Sequence, residues 1–155
     1  MTESTSGHSA INQLCKQLGD CVETSFEQRE DHSYDGLKIS SLPDAVIRVK
    51  EAVQVGTVLE IANKYGIAVT TRGAGSSLTG GATPIQGGWV LDLSLLNHFE
   101  IDEENQLARC GPGVVVADLQ AAAAEQDLFY PPIPPPKSFA PWVEMLPAML
   151  VVYAA

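Results

Sequence analysis

The chain has 155 residues, a hydrophobic fraction of 45% and a net charge of −10, which fits one folded domain of ordinary size and excludes a disordered chain. The acidic balance argues against nucleic acid and against an anionic membrane surface as partners, because both require a basic face. A small anionic ligand stays compatible, since one local nest of backbone amides can oppose the global field.

In chain order, residues 1–9 are polar, lack the apolar core of a signal peptide, and are expected to be disordered. Ile11, Leu14, Cys15, Leu18 and Val22 then fall on one helical face, with Gly19 as the stop or interruption. The acidic, irregular run from Glu23 to Ser41 reads as a solvated linker, and its His32, Tyr34 and Asp35 lack metal-ligand spacing. Pro43 precedes a short β-branched strand, Ala45 to Val49. Val55, Val58, Leu59, Ala62 and Tyr65 mark a helix over Glu51 to Tyr65 that Gly66 closes. Ile67 to Thr71 is the next strand, so the three elements form a βαβ unit whose strands run parallel.

A glycine-rich loop, Arg72 to Gly81, leaves that second strand. After a turn at Pro84 to Gly88, Trp89 to Leu93 reads as a buried strand. Phe99 to Ile101 and Leu107 to Cys110 flank a polar turn and predict an antiparallel hairpin. Gly111-Pro112-Gly113 forms a second tight loop, and Val114 to Gln126 a second helix with a small-residue alanine run. Leu128 to Tyr130 lead into Pro131 and Pro132. The three cysteines, Cys15, Cys21 and Cys110, are too few and too dispersed for a disulfide framework or zinc knuckle, which makes a reducing, cytoplasmic setting the default. The apolar run Trp142 to Ala155 is broken by Glu144 and Pro147 and is too short to span a bilayer.

The loop Arg72-Gly73-Ala74-Gly75-Ser76-Ser77-Leu78-Thr79-Gly80-Gly81 carries the functional signal. Glycine permits positive φ and close approach of a ligand. Consecutive amides in such a turn can converge on an anion, with Ser and Thr hydroxyls as further donors and Arg72 as a fixed charge. From the glycines alone, a phosphate nest and a plain surface loop stand equally. The loop lacks the dinucleotide fingerprint of doubly wound folds, because a strand and not a helix follows it. It is no P-loop either, because no lysine follows the glycines. An anion would therefore be held by loop amides without a helix dipole.

Residues 42–132 as a whole resemble the first part of the FAD-binding domain of the vanillyl-alcohol-oxidase (PCMH) type, in particular the FAD-linked subunit of glycolate oxidase and the related D-lactate dehydrogenases. The glycine loop, the GGWVLDLS strand, the PGV loop and the FYPP turn occur in that family's order. The resemblance implies an α+β fold, a βαβ unit plus antiparallel strands and a second helix, forming the first subdomain of the domain. It implies that the amides of Gly73, Ala74, Gly75, Ser76 and Ser77 bind the FAD pyrophosphate beside Arg72, and that Thr79, Gly80 and Gly81 continue that wall. It places Pro43 near the adenine, Gly111, Pro112 and Gly113 near the flavin, and Pro131 and Pro132 at the isoalloxazine pocket. No histidine stands in or beside the glycine loop, so the FAD is expected to be non-covalent. The implied substrate of the full-length relative is a small 2-hydroxy acid such as glycolate or D-lactate, and partner subunits of an oxidase complex are implied as well. No residue is assigned a catalytic or metal-binding role.

The expected organisation is an N-terminal helix and linker (1–42), a partial FAD-binding domain (43–132) and an aberrant tail (133–155). Two departures from the family pattern stand out. Ser76 replaces the threonine common in these relatives and keeps its hydroxyl. From Ile133 onward the pattern is lost, yet regrouping the codons by one position permits an aspartate after the prolines and then a second glycine-rich stretch, with a glycine forced after Trp142. The tail is therefore expected to be an out-of-frame continuation with no stable packing, and the chain alone is expected not to turn over substrate.

Overall fold

The computed structural model describes residues 3–130, 149–151 and 153–154. Helix α1 (Glu3–Leu18) starts well before Ala10. Its buried face, Ala10, Leu14 and Leu18, anchors it, and helix propagation, which adds one hydrogen bond per residue fixed, carries the polar residues upstream that were expected to be disordered. Gly19 stops the helix at φ +53°. A 3₁₀ turn at Gly19–Cys21 leads to β1 (Val22–Glu23), and α2 (Phe26–Asp31) follows. The run from Glu23 to Ser41 is thus no solvated linker: His32, Ser33 and Asp35 are buried.

Strand β2 (Ala45–Arg48), helix α3 (Ala52–Tyr65) and strand β3 (Val69–Arg72) form the expected βαβ unit. Gln54 Oε1 accepts the amides of Lys50 and Glu51 at the start of α3, 2.7 and 3.1 Å away. Gly66 ends it in the left-handed region at φ +67°, a conformation that costs a residue with a Cβ roughly 1–2 kcal/mol. The strands do run parallel, but not side by side. Strand β4 (Trp89–Asp92) lies between them, giving a four-stranded sheet of order β1-β2-β4-β3. Ala45, Val46, Ile47 and Arg48 face Trp89, Val90, Leu91 and Asp92 in register, and Val69 to Arg72 pair with the same four from the other side. All four residues of β4 are buried, so its central place follows from its composition. The crossover from β3 to β4 is made by the glycine loop and its continuation, without a helix.

One face of the sheet presents Ala45, Ile47, Val49, Trp89 and Leu91 to α1 and α3, whose Leu14, Val58 and Ile61 complete the main core. Each such large side chain contributes about 1.5–3 kcal/mol on burial. The other face carries Val46, Val90 and, at the carboxyl ends of the strands, the row Arg48, Asp92, Arg72; α2 lies against β2.

The antiparallel hairpin is present as β5 (Phe99–Asp102) and β6 (Leu107–Cys110), and α4 (Val116–Ala124) packs with it through Leu119 and Ala123 in a second core. Strand β7 (Leu128–Phe129) follows. The tail was expected to have no stable packing; in the structure β8 (Met149–Val151) pairs antiparallel with β6 and β9 (Tyr153–Ala154) with β7. An open strand edge is a ready template for any extended segment that reaches it. Pro131 and Pro132, and the tail through residue 148, lie outside the described residues.

Candidate functional site

Ligands of α/β sheets bind beyond the carboxyl ends of the strands, and the glycine loop begins there, directly after Arg72 of β3. Gly75 at φ +67° and Gly80 at φ +81° turn the chain into its loop. Among the described residues, the amides of Gly73, Ala74 and Gly75 donate to no main-chain carbonyl. Ser77 Oγ accepts the Thr79 amide at 3.2 Å and pairs with Thr79 Oγ1 at 3.1 Å, and the Thr83 amide donates to the Gly80 carbonyl, which fixes the loop's second half. A groove of about 440 Å³ runs beside it, lined by Thr70, Thr71, Gly80, Gly81, Thr83 and Gln86.

Arg72 does not simply project a charge toward solvent. It is 7% exposed, and its guanidinium turns under the loop, donating from Nη1 to the Tyr34 carbonyl and from Nη2 to the Asp31 carbonyl. Burial pushes its pKa down, while the fields of Asp92, Asp35, Tyr34 and Asp31 oppose that shift. A Cβ on Gly75 would collide with this guanidinium. The glycine there is thus required twice, by its φ and by the arginine beneath it.

The segment 31–41 forms the back of the loop, and nothing in its composition announced this. A Cβ on Gly36 would stand 2.8 Å from the Ser77 carbonyl oxygen and 3.0 Å from that of Ser76. Thr83 Oγ1 donates to the Ile39 carbonyl at 3.4 Å and Ser41 Oγ to the Pro84 carbonyl at 2.7 Å. Asp35 Oδ1 accepts the Leu37 amide at 2.9 Å, closing a turn, while its buried Oδ2 has no partner among the described residues.

Asp92 is the most heavily engaged carboxylate. Oδ2 accepts Arg48 Nε at 2.8 Å and lies 3.5 Å from His32 Nε2; Oδ1 accepts the Ser94 amide at 2.9 Å. His32 Nδ1 donates to the Gln28 carbonyl at 2.7 Å, since a carbonyl can only accept. Burial works to raise the Asp92 pKa, but the bonds from His32, Arg48 and Ser94 prevail and hold it well below the ordinary 3.8. A carboxylate with a depressed folded-state pKa stabilises fully above its unfolded value, and that stability is lost as pH falls toward the folded one. Denaturant unfolding at a series of pH values is expected to show stability declining below 3.8, and Asp92→Asn is expected to flatten that decline.

The second glycine loop docks on the turn that follows Asp92. A Cβ on Gly113 would lie 2.5 Å from the carbonyl oxygens of both Leu93 and Ser94, and one on Gly111 would collide with that of Leu96. The Gly113 amide donates to the Leu96 carbonyl at 3.0 Å. A cleft of about 580 Å³ opens beside this loop, lined by Lys50, Leu95, Arg109, Cys110, Gly111 and Pro112. Lys50 follows β2 and Leu95 follows β4, so this cleft also lies at the carboxyl side of the sheet. Pro43 is placed elsewhere: it is buried at the amino end of β2, and its carbonyl accepts Arg29 Nε at 2.6 Å. Among the described residues no group of acidic, histidine and cysteine side chains could hold a metal ion, and no helix is long and apolar enough to cross a membrane.

Comparison with known proteins adds a family to this geometry. A family model described as an FAD binding domain matches residues 43–140. The chain is 39% identical over 105 residues to glycolate oxidase subunit GlcD of Bacillus subtilis, covering 66% of this chain and 22% of that protein. It is 37% identical over 89 residues to D-lactate dehydrogenase of Archaeoglobus fulgidus, covering 57% of this chain and 20% of that one. It therefore spans about a fifth of the length of these curated relatives. Among solved structures, 4-ethylphenol oxidase from Gulosibacter chungangensis superposes with a TM-score of 0.72 at 26% identity, over 83% of this chain and 26% of that one.

Proposed function

This chain belongs to the FAD binding domain family, and from that premise we propose that it is the nucleotide-holding part of an FAD-dependent oxidoreductase acting on a 2-hydroxy acid of the glycolate or D-lactate type. FAD is the cofactor of this family. The observation that carries the reading is the loop whose Gly73 to Gly75 amides donate to no main-chain carbonyl among the described residues, placed at the carboxyl ends of parallel strands inside the matched region. In this reading the amides of Gly73 to Ser77 hold the pyrophosphate, with Thr79, Gly80 and Gly81 extending the wall. Arg72 contributes from beneath by fixing the loop and adding positive potential. Gly111, Pro112 and Gly113 approach the flavin end, while Pro43, buried at the amino end of β2, lies away from both loops and is given no contact.

When bound, FAD supplies the hydride acceptor for oxidation of the substrate's hydroxyl-bearing carbon. The residues described here bind and orient; none stands as the base that would take the hydroxyl proton. The substrate class is supported by the named activities of the relatives, and partner subunits by one relative's being a subunit of an oxidase. Turnover is assigned to the longer relatives and not to this chain alone.

Titrating the purified chain into FAD while following flavin fluorescence tests this. Saturable quenching, competed by ADP and with no dye reduction on adding glycolate or D-lactate, is the expected result. Fluorescence that stays that of free FAD at every protein concentration would overturn the binding assignment.

A further inference from the structure

Two loops are read here as parts of one FAD site, yet they leave different elements and share no backbone–backbone hydrogen bond among the described residues. One buried side chain reaches toward both. We propose that Asp92 is a positioning residue that sets the glycine loop and the Gly111–Gly113 loop in one frame, one carboxylate oxygen serving each loop. The proposal rests on the reading of these loops as an FAD site, but its geometry does not.

Oδ1 accepts the Ser94 amide and so shapes the turn on which Gly113 sits, close enough to Leu93 and Ser94 that a Cβ would not fit. Oδ2 takes Arg48 and faces His32. His32 is followed directly by the segment that backs the glycine loop: Tyr34 gives its carbonyl to Arg72, and Gly36 lies against the Ser76 and Ser77 carbonyls. Arg48, Asp92 and Arg72 occupy one row across three adjacent strands, so the carboxylate stands between the strand that launches the glycine loop and the one that leads into the cleft. At 2% exposure it is almost closed to solvent.

The two oxygens make the proposal separable by mutation. In Asp92→Asn the amide oxygen can still accept the Ser94 amide, while the NH₂ group would face Arg48 Nε, and two donors cannot bond each other; the negative charge that His32 faces is lost as well. Asp92→Ala removes both functions. The readout is amide hydrogen exchange in the ligand-free chain. The Ser33 and Lys38 amides, bonded to the Glu30 and Asp35 carbonyls, report on the back of the glycine loop, and the Gly113 amide on the second loop.

Asp92→Asn is expected to speed exchange at Ser33 and Lys38 at least tenfold and to leave Gly113 within twofold of wild type. Asp92→Ala is expected to speed all three. Val58→Ala, which loosens the core of α3 without touching either loop, is expected to change none of them beyond twofold. Equal acceleration of all three reporters in Asp92→Asn, or none, would overturn the proposal, and this holds if Asp92→Ala does not fold. FAD affinity, measured in parallel, is expected to fall at least tenfold in Asp92→Asn. Failure of the wild-type chain to bind FAD would sink the functional reading while leaving the exchange result to decide the positioning role.

Discussion

Gly75→Ala is expected to weaken FAD binding at least tenfold and to lower the midpoint of thermal unfolding. Two independent causes act at this residue. Its φ of +67° costs a side chain with a Cβ roughly 1–2 kcal/mol. The new methyl would also meet the Arg72 guanidinium. A flexible arginine tip on a surface would swing aside, but this one is buried and bonded to two carbonyls, so moving it breaks those bonds. Either the loop or the arginine must give way, and both alternatives change the backbone of the Gly73 to Gly75 segment. Where the free loop relaxes to relieve that strain, restoring its binding conformation costs it again, and about 1.4 kcal/mol corresponds to a factor of ten in affinity. The control is Gly56→Ala in α3, where a Cβ meets nothing within 4 Å and φ is not positive. There the exchange is expected to stabilise by about 0.5–1 kcal/mol and leave FAD affinity unchanged. Flavin fluorescence titration and circular dichroism melting read both variants.

Arg72→Met is expected to be the more damaging substitution for the fold itself. It keeps the length of the side chain and removes the charge and both donors. The Tyr34 and Asp31 carbonyls lose their partner, and the nearby Asp35 and Asp92 carboxylates lose the cation whose field they share. Hydrogen bonds from a charged group are worth about 1.5–3 kcal/mol each, so the loss is expected to be about 3–5 kcal/mol, a large share of the 5–15 kcal/mol that typically holds a domain together. Urea unfolding measures it. Arg72→Lys is expected to recover less than half, because one ammonium cannot reproduce the planar fork that reaches two carbonyls at once. Recovery to wild-type stability by lysine would show that charge alone, and not this geometry, supports the loop.

The βαβ arm and the hairpin were legible because their signals are local: an apolar face at helical spacing, a stop glycine, β-branched runs separated by a polar turn. The order of strands was not legible. Ala45 to Val49, Ile67 to Thr71 and Trp89 to Leu93 are all short apolar runs. Only burial separates the central strand, with all four residues enclosed, from the edge strand, in which Val69, Thr70 and Thr71 retain exposure. The glycine loop was legible because few other sequences permit its backbone, with Gly75 and Gly80 at positive φ. The wall behind it was not. Ser33, Asp35 and Gly36 lie in an acidic run without periodicity, and the segment is held by partners some forty residues away: Arg72 donates to the Tyr34 carbonyl, and Gly36 lies against the Ser76 and Ser77 carbonyls. Such a segment reads as solvent-loving because its buried groups are polar. Asp92 was visible as a letter in a strand motif. Its tie to Arg48 needed the register of two strands, and its tie to His32 the docking of the segment after α2.

The placement of β4 between β2 and β3 has a consequence for the nascent chain. The central strand is the last of the three parallel strands to leave the ribosome. Until it emerges, β3 has no partner in this sheet to bond, β2 has only the two-residue β1, and helix α3 has only half a surface to lie on. The loop that would hold the cofactor is then a tether between a stranded edge and a strand not yet made. The sheet and the ligand loop therefore close in one late event of long sequence separation, which slows folding and prolongs the exposure of apolar edges. A chaperone that shields extended apolar segments would find its substrate in that interval, between the appearance of Arg72 and the arrival of Trp89.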